Sequence, residues 1–191
     1  MGASSNDVRR LTTLALLMAA SVVLTRFFGV MAPIAGVMVL RLSFGEIPIM
    51  LAGATYGPAA GAVVGAMADL LGMALFPSGV YFPGFTLSSA LTGFIPGIML
   101  RWGREREDGR PERVSYWWLL AIVATTNAVV SVGLNTVWLA IMYDKAIAVL
   151  LPARLAARVV MAPLQAAVLG MIIRRNEMPA TRSSRTAPSR W

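Results

Sequence analysis

The chain has 191 residues, 57% of them hydrophobic and 14% charged, with a mean hydropathy of +0.68 and a formal net charge of +8. A soluble domain runs at roughly 45–50% apolar and about 25% charged, so this composition leaves too few polar side chains to coat a water-soluble globule and places the chain in a bilayer. There is no Cys and no His, which excludes disulfides, thiolate metal sites and His-dependent triads, and no metal or cofactor is expected. Lys145 is the only lysine and no Gly-rich run precedes it, so the chain carries no phosphate-binding loop with which to energise transport itself.

A spanning helix takes roughly 20 apolar residues at about 1.5 Å each, and six candidate runs lie between breakers. The first covers about residues 9 to 28, with Ser5, Asn6 and Asp7 as cap candidates. It is too long for a cleaved signal peptide, shows no small-residue cleavage site, and is expected to be retained. Residues 29 to 40 are apolar but broken by Gly29, Pro33 and Gly36, as in a loop that folds over something like a lid. The second span, about 42 to 56, is short, carries Pro48 and ends at the tight turn Tyr56-Gly57-Pro58; the third runs from about 58 to 75. Phe76-Pro77-Ser78-Gly79 breaks the chain before a fourth span at about 83 to 101, followed by a fifth at about 115 to 142 and a sixth at about 154 to 173. Residues 1–177 thus read as one all-α membrane domain of six transmembrane helices. Residues 178–191, rich in Ser, Thr, Pro and Arg, read as a disordered basic tail.

Six spans put both termini on one side of the membrane. Of the 17 basic residues, 12 lie at the N-terminus (Arg9, Arg10), in the loop between spans four and five (Arg101, Arg104, Arg106, Arg110, Arg113) and in the tail (Arg174, Arg175, Arg182, Arg185, Arg190). The positive-inside rule therefore makes both termini cytoplasmic. Basic residues in short flanks beside an anionic leaflet also explain the surplus charge without nucleic acid.

Lipid gives helices no hydrophobic reason to associate, so small residues that let backbones approach must supply the contact energy. Gly53, Gly57, Gly61 and Gly65 recur every four residues in spans two and three, and Ala15 and Ala19 form a smaller patch on span one. For that patch, contact within the chain and contact with a partner subunit both stand open.

Charges inside the apolar layer cost several kcal/mol unless paired or hydrated, so each is a functional candidate. Given the orientation above, Arg26, Arg41, Glu46, Asp69, Asn135, Thr136, Arg154 and Arg158 all fall in the outer half, which points to a cavity open to the exterior. Four arginines against Glu46 and Asp69 leave a surplus of two positive charges, suited to an anionic solute gripped through its carboxylates. The competing reading pairs Asp69 or Glu46 with Arg26 and lets the other arginines snorkel to headgroups. Asn135 and Trp138, three apart, share a helix face that could bond and stack a flat ring. Phe76, Ser78, Tyr81, Phe82 and Phe85 form a set that either anchors at the interface or walls a ring-shaped ligand.

Three stretches, Arg41-Leu-Ser-Phe-Gly-Glu-Ile-Pro-Ile, the run from Tyr56 through Asp69 to Gly72, and Phe76-Pro-Ser-Gly-Val-Tyr-Phe-Pro-Gly-Phe, together resemble the substrate-binding S components of energy-coupling factor (ECF) vitamin transporters, most of all the folate group. The resemblance spans most of residues 11 to 173 and includes Leu134-Asn135-Thr136-Val137-Trp138-Leu139 and Pro152-Ala153-Arg154-Leu155. It implies a six-helix subunit of a prokaryotic cell membrane that captures a vitamin from outside and docks onto a membrane-embedded coupling protein with two cytoplasmic ATPases. It implies no catalysis by this chain. The small-residue pattern that such proteins use against the coupling protein falls on Ala15 and Ala19. For folate, Arg26, Arg41, Arg154 and Arg158 are the candidates for the carboxylates, Ser78, Tyr81, Phe85, Asn135 and Trp138 for the ring, and Asp69 for orienting an arginine or bonding the pterin. Glu46 departs from the apolar residue that the resemblance implies there, and pantothenate is the nearest competing vitamin. Outside the family, an ion-coupled carrier using Glu46 and Asp69 would work without any ATPase, though no inverted repeat is visible.

Overall fold

In a bilayer each backbone N–H and C=O must find its partner within the protein, and the apolar runs meet that demand as helices. The computed structural model describes residues 5–34, 37–77, 80–106, 115–143 and 147–177, and the basic tail lies outside them. Its elements are α1 (Ser5–Arg26), a hairpin of β1 (Val30–Ile34) and β2 (Val37–Leu42), α2 (Glu46–Tyr56), α3 (Pro58–Leu75), α4 (Pro83–Arg106), α5 (Tyr116–Thr126), a π-helical segment (Asn127–Leu134), α6 (Asn135–Tyr143) and α7 (Ile147–Glu177). The π segment continues α5 into α6, so Tyr116–Tyr143 crosses as one rod and the fold is an all-helical bundle of six segments apart from the small hairpin. Five of those six are long and apolar enough to span a membrane.

The exception explains the weak second span. With only 11 residues, α2 is about 16 Å long. Ile47 through Ala54 are all buried, with Met50 and Ala52 at 0% exposure. This helix is the centre of the bundle. One face joins Leu100, Leu119, Ile122, Ala166 and Leu169 of α4, α5 and α7, and the other joins Val22, Val64 and Ala68 of α1 and α3.

Small residues bring the backbones into contact, as the glycine spacing predicts. A Cβ on Gly53 would collide with the Gly93 carbonyl oxygen of α4, one on Gly61 would lie 2.5 Å from the same atom, and one on Gly65 would strike the carbonyl of Ser89. Gly57 plays another part: its φ of 95° lets the chain reverse between α2 and α3, and Pro58 opens the next helix at its first position.

Three expectations change. The stretch expected to fold over as a lid-like loop instead holds the two strands of an antiparallel hairpin, pairing Val30 with Leu42 and Ile34 with Val37, with a register shift at Ala32/Pro33 where proline lacks a donor; residues 35 and 36 lie outside the described residues. That hairpin also takes Leu42 out of the second helix, which starts at Glu46. The last helix begins at Ile147, seven residues before the expected start, so that Pro152 falls inside it as Pro163 does.

Candidate functional site

The C-terminal ends of α1 and α3, the N-terminal ends of α2 and α4, the π segment with α6, and the first turns of α7 meet at one end of the bundle around a cavity of about 250 Å³. Six of the eight polar residues assigned to the outer half line it: Arg26, Glu46, Asp69, Asn135, Arg154 and Arg158. Thr136 is buried without lining it, and Arg41 lies on β2 opposite Met31. The Arg41 side chain and Ser78 are outside the described residues, so the described lining holds three arginines against two carboxylates, a surplus of one positive charge rather than two.

Glu46 is placed by its surroundings at the start of α2. The Ser21 hydroxyl of α1 donates to the Gly45 carbonyl at 2.7 Å, and a side chain at Gly45 would strike Thr25 Oγ1, so the two helices touch just before Glu46. Its carboxylate forms an ion pair with Arg158 at 2.7 Å, not with Arg26. Arg158 Nη1 also donates to Asn127 Oδ1 at 3.0 Å, Gln165 Nε2 donates to Glu46 Oε2 at 2.9 Å, and Asn127 Nδ2 donates to Gln165 Oε1 at 2.9 Å. This closed ring of four side chains ties α2, the π segment and α7 together on a floor where Gln165 is 0% and Asn127 3% exposed. Each donor that closes the ring meets an acceptor, the condition under which a buried polar network stabilises rather than costs. Arg158, a candidate for the ligand's carboxylates, is thus held by a carboxylate of its own protein.

The other two arginines sit differently. Arg154, 8% exposed, donates from Nη1 to the Ser131 carbonyl at 2.8 Å, an acceptor within the wide π turn. Arg26 lies across Gly72, where a Cβ would come within 3.2 Å of its Nε and Nη2, and it interacts electrostatically with Asp69. Asp69 in turn accepts a hydrogen bond from Thr86 Oγ1 at 2.8 Å, and the Tyr81 hydroxyl is 3.2 Å from that same Thr86 oxygen.

Tyr81, Phe82 and Phe85 supply an aromatic wall. Trp138 stands behind it, its ring 5.5 Å from that of Phe82 and its indole N–H donating to Ser88 Oγ at 3.2 Å, so it supports the wall instead of lining the cavity. Phe76 packs edge-on against Phe27 at 5.4 Å. Asn135 lines the cavity, and its Oδ1 is buried with no hydrogen-bond partner among the described residues. Among the described residues no group of His, Cys, Asp and Glu is placed to hold a metal.

Comparison with known proteins shows the family of the chain. The family described as "ECF-type riboflavin transporter, S component" matches residues 5–176. The chain belongs to the S-component family of ECF-type transporters. Among its relatives, a protein of Clostridium novyi (strain NT) called "Folate transporter FolT" is 35% identical over 156 residues, covering 82% of this chain and 83% of that one. Another of the same name, from Leuconostoc mesenteroides subsp. mesenteroides, is 28% identical over 140 residues, or 73% and 68% of the two chains. A solved structure described as FolT bound with folic acid superposes with a TM-score of 0.71 at 28% identity, covering 90% of this chain and 95% of that one.

For an S component, the placement of the remaining expected residues is informative. Ala15 and Ala19 are exposed on α1, with Val8, Leu11, Leu16 and Val23 also exposed around them, so they are not spent on packing within the chain. Asn127 and Gln165 were not singled out from sequence, although two amides deep inside apolar spans carry the same signal as a charge there. Ser88 and Thr86 gave no such signal, since an isolated hydroxyl in a helix is usually satisfied by its own backbone, as Thr92 is by Ser88 O at 2.9 Å.

Proposed function

We propose that this S component binds folate from outside a prokaryotic cell and delivers it through an ECF importer, with both termini in the cytoplasm. The observation that carries the reading is the cavity itself: arginines and an aromatic wall share about 250 Å³ in a fold that matches, over 90% of its length, a protein described as bound with folic acid. A pterin-benzoate needs flat apolar walls and a few amide partners, which Tyr81, Phe82, Phe85 and Asn135 supply. Its glutamate tail is a dianion, and Arg26 and Arg154 line the cavity as cationic groups of the kind that bind carboxylates. Arg158 contributes charge to the cavity while held by Glu46, and Arg41 and Ser78 remain candidates from the sequence.

Transport would need partners. Ala15 and Ala19 present the flat patch on which a membrane-embedded coupling protein would sit. With no phosphate loop in this chain, two cytoplasmic ATPases would supply the energy.

Two relatives called folate transporters weigh against the riboflavin in the family description. The test is direct titration of the purified protein with folic acid and with riboflavin, together with mass spectrometry of any vitamin retained through purification. Tight binding of folic acid alone is expected. Tight binding of riboflavin with none of folic acid would refute the reading.

A further inference from the structure

The Glu46 carboxylate has one oxygen accounted for and one that is not. Oε2 accepts from Arg158 Nη1 at 2.7 Å and from Gln165 Nε2 at 2.9 Å, which fills both its lone-pair directions. Oε1 has no hydrogen-bond partner among the described residues, and the side chain lines the cavity with 24% of its surface exposed. The oxygen that faces a ligand is therefore a pure acceptor. It is also fixed, because the partners of Oε2 are anchored on Asn127 and on fully buried Gln165.

We infer that Glu46 is a specificity-determining residue: its Oε1 accepts a hydrogen bond from an exocyclic amino group on the ligand's ring, and so selects an aminopteridine over a ring that carries a carbonyl at the same place. The inference rests on the folate reading and deepens it. The two rings in question differ at this point. The pyrimidine edge of folate presents an amino donor between its ring nitrogens, whereas the isoalloxazine of riboflavin presents a carbonyl oxygen there. A fixed carboxylate bonds the first and repels the second. Sites that hydrogen-bond a substrate group in a dry, rigid setting reject the analogue lacking it far more strongly than apolar pockets reject a change of size. Asp69, the other carboxylate in the described lining, is less suited, since its Oδ2 already accepts from Thr86, whose hydroxyl oxygen is in turn 3.2 Å from that of Tyr81, a residue 46% exposed.

The network also dictates what a neutral replacement would do. In Glu46→Gln the donors on Arg158 and Gln165 still demand an acceptor, so the amide oxygen must occupy the Oε2 position and the amide NH₂ must turn toward the ligand. The cavity-facing group changes from acceptor to donor without a change of shape.

The test measures binding of folic acid and of its analogue with an oxo group in place of the ring amino group, by wild type and by Glu46→Gln, in detergent. Wild type should prefer folic acid by at least about tenfold, the scale of a charge-assisted hydrogen bond. Glu46→Gln should reduce or invert that preference, changing the ratio of the two affinities about tenfold or more. A double variant, Glu46→Gln with Arg158→Gln, leaves no lone charge and should also lose the preference, which keeps the question decidable if the single variant does not fold. An unchanged ratio in a folded variant, with both affinities moving together, would overturn the inference and leave Glu46 as a counter-ion for Arg158. Transfer of the effect to Asp69→Asn would overturn it too. Wild type that binds neither compound would instead refute the folate reading on which it rests.

Discussion

Around the turn at Gly57, α2, α3 and α4 touch backbone to backbone, with Gly53 and Gly61 against the Gly93 carbonyl and Gly97 against Pro58. At the far ends of the same helices the elements part around a polar cavity of about 250 Å³. The first region is held by shape, through side chains reduced to hydrogen so that dispersion acts at the shortest range. The second is held by hydrogen bonds that cross between helices, the Glu46–Arg158–Asn127–Gln165 ring above all. One end supplies a rigid base, and the other can then tolerate a hollow lined with charge.

That contrast can be broken from either side. The largest effect is expected from Gly93→Val: its Cβ would strike the Gly61 backbone, which cannot give way as a flexible side chain would, and the loss should reach about 3 kcal/mol, read as a fall in thermal unfolding temperature in detergent. Next comes Arg154→Ala, at the cavity end. It should leave the fold assembled but weaken folic acid binding by about 1.5 to 3 kcal/mol, measured by titration. Trp138→Phe removes the 3.2 Å bond to Ser88 while keeping a ring behind Phe82, and should cost about 1 kcal/mol in stability with a smaller change in affinity. Ala15→Trp should not alter binding of the vitamin by the isolated subunit, yet should abolish uptake by the assembled transporter if the coupling protein docks on this exposed patch as proposed.

Much of this was legible in the sequence, and for stated reasons. Long apolar runs have few alternatives to spanning helices, and a glycine every fourth residue marks a face where another backbone must come close. The gathering of Arg26, Glu46, Asp69, Asn135, Arg154 and Arg158 could be read because span direction alone fixes which end of each helix is shared. Partner choice was not legible. Glu46 and Arg158 are separated by 112 residues, and nothing local tells a carboxylate on α2 that its cation will come from α7 rather than from α1. The π segment was equally hidden, since Asn127–Leu134 has the composition of an ordinary apolar helix. Its Ser131 carbonyl is taken by Arg154 of α7, a contact 23 residues away along the chain. The hairpin was missed because a short apolar stretch broken by glycine and proline fits a loop as well as a strand pair.

The most direct measurement compares the affinity of the purified protein for folic acid with that for its diester, in which both tail carboxylates are neutralised and the ring is untouched. If arginines in the cavity hold the tail, the diester should bind at least about tenfold more weakly, and added salt should narrow the gap. Equal affinity for the two compounds would mean that the cavity's positive charge takes no part in capturing the ligand.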